Sequence, residues 1–147
     1  DVVGEGGAMG GGLVQIHNVV GTLVVVAFLI LTILNGLRVA GRDIPVARTV
    51  SMAAAGLLLV QYVIGVLLLG QGSPLNGVHV VVALAALVTV GLEHGYAATR
   101  DTTRQRAIAA LIATLGTTIL VGAAHGIGSA SDSTVEAALL SGLLLFG

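Results

Sequence analysis

GLVQIHNVVGTLVVVAFLILTILNGLR, residues 12–38, is an apolar helix with a single histidine, His17, about one turn inside its first end. From position 17 to the first basic residue, Arg38, is 21 residues, which at ~1.5 Å per residue is about 31 Å, the thickness of a bilayer's hydrocarbon core. The same interval returns twice. His79 lies 21 residues before Arg100, and His125 lies 21 residues after Arg104 on a segment running the other way. Measured from arginines on one face of a membrane, three histidines therefore share one depth near the other.

Composition agrees with that ruler. The chain has 147 residues, 56% hydrophobic and 9% charged, with a mean hydropathy of +1.06 and no Lys, Cys or Trp; an ordinary soluble domain is ~25% charged. It reads as one integral membrane domain. The net charge of -1 and the confinement of all six arginines to two loop clusters exclude a basic nucleic-acid surface. Without cysteine there is no disulfide and no thiolate metal site. Residues 1–12, DVVGEGGAMGGG, read as a glycine-rich tail rather than a signal peptide, and with no preceding strand their glycines are no phosphate loop.

Outward from the first helix the order is regular. Helices are expected over residues 13–38, 47–69, 77–98 and 105–124, separated by an arginine loop with Pro45, the turn GQGSPLNG, and a second arginine loop. By the positive-inside rule, the loops at 38–48 and 100–106 are cytoplasmic. The N-terminus and the histidine layer then face outward. The predicted fold is an all-α, integral membrane, up-down-up-down four-helix bundle over residues 13–127, with helices 1 and 3 parallel and diagonal. Residues 133–147, capped by Ser133 and Thr134 with Glu136 in the first turn, form a short extra C-terminal apolar helix of about 20 Å, interfacial or partial. A faint duplication aligns IHNVVGTLVV (16–25) with VHVVVALAAL (78–87) at an offset of 62.

Ionisable side chains within a membrane span face the bundle interior or a cavity and mark function by default; the alternative for each histidine is a wet interfacial position. Two imidazoles opposed across a bundle, His17 and His79, suit one haem iron with an axial nitrogen on each side. Zinc fits less well, because its sites want three or four protein ligands. Gly21 and Ala83 each lie four residues after a histidine and leave room for a flat macrocycle. His125 ligates a second group, bonds haem propionates, shuttles protons, or merely ends helix 4 ahead of Gly126. His94 sits at the arginine end, with Met52 as its one soft partner, and an inner haem is not expected there. Gln61, alone in mid-helix 2, needs a polar partner, which a cofactor would supply. Glu93 and Glu136 are expected to be solvated.

VQIH at 14–17, QYVIG at 61–65 and HVVVALA at 79–85, in that order, resemble the repeating half of the haem A synthases, over roughly the first two thirds of the chain. The resemblance implies a four-helix bundle with His17 and His79 as haem ligands, and oxidation of a haem O methyl group to the formyl group of haem A. The chain departs from that pattern at Asn18, where an arginine is usual. It departs again at Val14, Gln15 and Ile16, where the catalytic half carries a glutamate, and in lacking the family's cysteines. The family half also has a helix before the first histidine helix.

The expected cofactors are iron and haem, of b type or as haem O and haem A. The expected function is conversion of haem O to haem A in the cell membrane for terminal oxidase assembly. A bis-His b-type cytochrome passing electrons, with a quinone near Gln61, and a haemless small subunit of a respiratory complex stay open. Membrane lipid, the haem substrate, and a second copy or a respiratory complex are the expected partners.

Overall fold

The computed structural model describes residues 6–72 and 76–130. Four helices cross the membrane: α1 (Gly6–Val39), α2 (Val46–Gly70), α3 (Gly77–Gly91) and α4 (Thr103–Ala130). Beyond Gly91, α3 continues through one π turn, Leu92–Tyr96, and one 3-10 turn, Ala97–Thr99. The apolar spans are 23 to 29 residues long, about 35–44 Å at ~1.5 Å per residue, enough to cross the ~30 Å hydrocarbon core. The protein is an all-α membrane bundle. The short C-terminal helix expected over residues 133–147, with Glu136, lies outside the described residues.

Packing runs inside out relative to a soluble bundle. Large apolar side chains such as Ile33, Leu59, Val66, Val81 and Ile119 point outward, where lipid solvates them as well as a protein core would. Small residues point inward, and α4 shows this most clearly: Ala107, Ala110, Ala113, Thr114, Thr117, Val121 and Ala124 form one buried stripe. That stripe lets α1 and α3 approach α4 closely, while α2 packs on α1. Helices α1 and α3 lie on a diagonal. Helices α2 and α3, consecutive in the chain, scarcely touch, and a seam is left between them.

Ends are set by local chemistry. Gly41, at φ +85, closes α1: its N–H reaches the Arg38 carbonyl and the Arg42 N–H reaches that of Leu37, the paired pattern that a left-handed glycine after a helix permits. Pro45 precedes the first turn of α2, where its missing N–H costs nothing. Helix α1 starts at Gly6, within the stretch expected to be a tail, and α4 runs to Ala130, past the expected end at 124. In both places glycine's weak helix preference yields to propagation. Each residue added to a formed helix gains a backbone hydrogen bond, and in an apolar medium no other partner exists.

Candidate functional site

Cavity formation follows from the seam. In the half of the bundle away from the arginine loops, a cavity of about 400 Å³ opens among all four helices, within the ~300–1,000 Å³ range of small-molecule sites. His17, Gly21, Gln61, His79, Ala83 and His125, the six residues singled out in the sequence, all line it. So do Asn18, Tyr62, Gly65, Asn76 and Gly128, which the sequence reading did not assign to the site. Among the described residues no carboxylate lines it.

His79 is fixed from two sides. Asn76 caps α3, its Oδ1 accepting from the N–H groups of Val78 and His79 at 3.1 and 3.2 Å. The ring's Nδ1 lies 2.9 Å from the Ala124 carbonyl, an acceptor only, so Nδ1 carries the proton and Nε2 is left with a free lone pair. Histidines that ligate metals are oriented in this way by their other nitrogen. Asn76 was legible as a cap, since Asn immediately before an apolar helical run is a start signal.

His17 faces His79 across the cavity with ring centres 6.2 Å apart and planes tilted by 60°. A metal–imidazole bond of ~2.0 Å plus ~1.1 Å from nitrogen to ring centre, taken on both sides, separates two axial imidazoles by about 6–6.5 Å. The observed spacing falls in that interval. The Gln61 amide nitrogen lies 3.2 Å from His17 Nε2 and donates to it. His17 Nδ1 and Gln61 Oε1 are buried without a hydrogen-bonding partner, and such orphaned groups cost free energy unless a ligand or water satisfies them.

Glycine makes the walls thin where side chains must fit. A Cβ on Gly21 would come within 3.0 Å of both Gln61 Nε2 and His125 Nδ1, and one on Gly128 within 3.4 Å of the His79 ring. Gly65 would bring a Cβ to 3.5 Å from the His17 ring. Gly21 was expected to make room for a macrocycle; the room it makes is filled by the Gln61 amide and the His125 imidazole. His125 lies inside α4 instead of ending it, and its Nε2 meets Thr22 Oγ1 at 3.3 Å. Ala83 supplies its carbonyl to the Tyr62 hydroxyl, a bridge across the α2–α3 seam.

Below the cavity the bundle closes on Val24, Phe28, Leu31, Leu58, Ala86, Val90 and Val121. Under that plug lies a second polar layer. Arg38 donates to Asn35, whose amide donates to Thr114, and Thr89 pairs with Thr117 at 2.7 Å. Glu93, expected to be solvated, is only 8% exposed and accepts from Ser51 at 2.7 Å. It shares a buried stripe with Ala86, Val90 and Ala97, at helical spacing. His94 bonds to Ser51, and Met52 points outward, 60% exposed.

Among the described residues no three histidines, cysteines or carboxylates converge as a metal-ligand set. No known protein family matches the chain, and neither a characterised protein nor a solved structure is significantly similar to it.

Proposed function

We propose that the cavity binds haem held by His17 and His79, and that the porphyrin is a substrate, haem O, whose methyl substituent would be oxidised to the formyl group of haem A by dioxygen, with electrons from a second haem or an external donor. The observation that carries the haem reading is the 6.2 Å separation of two imidazoles across a cavity. The loosely closed α2–α3 seam favours a porphyrin that enters and leaves sideways from lipid. Bound haem supplies one-electron iron chemistry.

The residues of this chain do the rest. The Ala124 carbonyl holds His79 in the tautomer whose Nε2 can bind iron. The Gln61 amide donates to His17 Nε2 and so orients the ring whose nitrogen would hold the iron. His125, bonded to Thr22 through Nε2, stands in the same cavity wall. Val24, Leu58, Ala86 and Val121 form the apolar floor of the cavity. The arginine loops mark the cytoplasmic side, so the haem lies toward the outer face of the cell membrane.

A second reading, a bis-His cytochrome that passes electrons, is favoured by the two facing imidazoles, since electron transfer asks for no further catalytic group. One experiment separates them. Reduced-minus-oxidised spectra of the purified chain are expected to show a low-spin haem that His17→Ala or His79→Ala abolishes or converts; unchanged spectra in both variants would refute the ligand assignment. Chromatography of the extracted pigment then decides the chemistry, with haem O and haem A indicating synthesis and haem B alone indicating electron transfer. A preparation without haem bands leaves only a haemless role.

A further inference from the structure

We infer that Glu93, Ser51 and His94 form a proton relay that connects the aqueous phase on the arginine-bearing side to a carboxyl buried in the bundle. This goes beyond the haem reading and stands whether or not haem binds.

The geometry is a linear chain. His94 is exposed, and its Nδ1 lies 3.0 Å from the Val90 carbonyl, which can only accept, so the proton on Nδ1 is fixed. Its Nε2 lies 3.2 Å from Ser51 Oγ, and Ser51 Oγ lies 2.7 Å from Glu93 Oε1. A hydroxyl has one proton and two lone pairs, so Ser51 can donate to only one of these neighbours at a time.

Two arrangements satisfy every link. In the first, a charged His94 donates through Nε2 to Ser51, and Ser51 donates to the Glu93 carboxylate. In the second, a protonated Glu93 donates to Ser51, and Ser51 donates to neutral His94. Passing between them moves the Nε2 proton to Ser51 Oγ as the Ser51 proton moves to Glu93 Oε1; one N–H and one O–H bond break and two O–H bonds form. Reloading requires the exposed His94 ring to turn: the Nδ1 bond to Val90 and the Nε2 bond to Ser51 break, Nε2 takes a proton from the aqueous side, and both bonds re-form as the ring returns, so that the net result is one proton carried from water to Glu93.

Position in the fold supports a transfer role. The π turn at Leu92–Tyr96 carries the glutamate inward and the adjacent histidine outward, and such turns recur at functional sites. Glu93 Oε2 is buried without a partner, leaving an acceptor on the interior side of the carboxyl. The titratable neighbours of Glu93 are His94 on its own segment and Arg38 on α1. Helix α2 brings the Ser51 hydroxyl, and the buried residues of α4 include nothing titratable.

The test is the infrared C=O band of a protonated carboxyl in the full-length chain, followed on transfer from H2O to D2O. Wild type should show a band that Glu93→Gln removes. Its deuteration should slow by about ten-fold or more in Ser51→Ala and in His94→Gln, and Ser51→Thr should restore the wild-type rate. Absence of the band in wild type, unchanged deuteration in Ser51→Ala or His94→Gln, or failure of Ser51→Thr to recover would overturn the relay. His94 is exposed, so its variant keeps the test readable if a buried substitution disturbs folding.

Discussion

The two polar layers of this bundle are built from similar side chains and differ in how far those chains satisfy one another. In the layer of His17, Gln61, His79 and His125, polar groups surround a cavity, and His17 Nδ1 and Gln61 Oε1 have no partner. In the layer of Arg38, Asn35, Thr114, Ser51 and Glu93, they bond mostly to each other in close packing, with one carboxylate oxygen left over. A buried polar group without a partner is costly wherever it sits. Where the cost coincides with open space it points to a ligand, and where neighbours remove it the network joins helices.

Between the layers stands Phe28, fully buried. Phe28→Ala should produce the largest change in stability, about 3–5 kcal/mol, seen as a large drop in the unfolding midpoint in detergent. A loss below about 1 kcal/mol would mean that the two layers are not separated by a packed plug.

Gly21→Val probes the upper layer alone. The new methyls must displace Gln61 and His125, since the Cβ already meets both at 3.0 Å, and the proposed haem binding predicts retention lowered about ten-fold, ~1.4 kcal/mol. Undiminished retention would show that these side chains give way freely and that the cavity does not depend on them.

Asn76→Ala removes the cap that holds the first turn of α3 and with it His79. The expected cost is about 1 kcal/mol, read in thermal unfolding together with broadening of the His79 imidazole resonance. A sharp, unshifted resonance would leave the Ala124 carbonyl as the sole anchor of the ring.

Thr117→Val, the smallest effect, deletes the bond to Thr89 at 2.7 Å. Hydrogen bonds between membrane helices average ~0.6 kcal/mol, so the unfolding midpoint should barely move and haem spectra should not change. A loss of several kcal/mol would place Thr117 in a cooperative network and weaken the contrast between the layers.

Much of this was legible because a membrane turns distance along a helix into depth. Counting from arginines put His17, His79 and His125 at one level, and all three reach one cavity. Glu93 was misread as solvated because it stands near an arginine loop, although its spacing from Ala86, Val90 and Ala97 continues the buried stripe. The π turn had no such signal, since its extra backbone residue depends on how α3 packs. Gly21 was read as space for a ligand; it lines the cavity and also gives room to the Gln61 and His125 side chains, and which group fills a gap beside glycine is decided across helices.

Four apolar spans, their order and the position of each polar residue along them could be read from hydrophobic length and rise per residue alone. Which residues at one level meet came from the packing of the helices. It turned His79 by a carbonyl from α4, set the Gln61 amide against His17, opened the α2–α3 seam and brought Ser51 onto Glu93. Rotation of each helix about its axis is set by close packing of small residues on its neighbours, and one chain's apolar pattern, surrounded by equally apolar lipid, leaves that angle open.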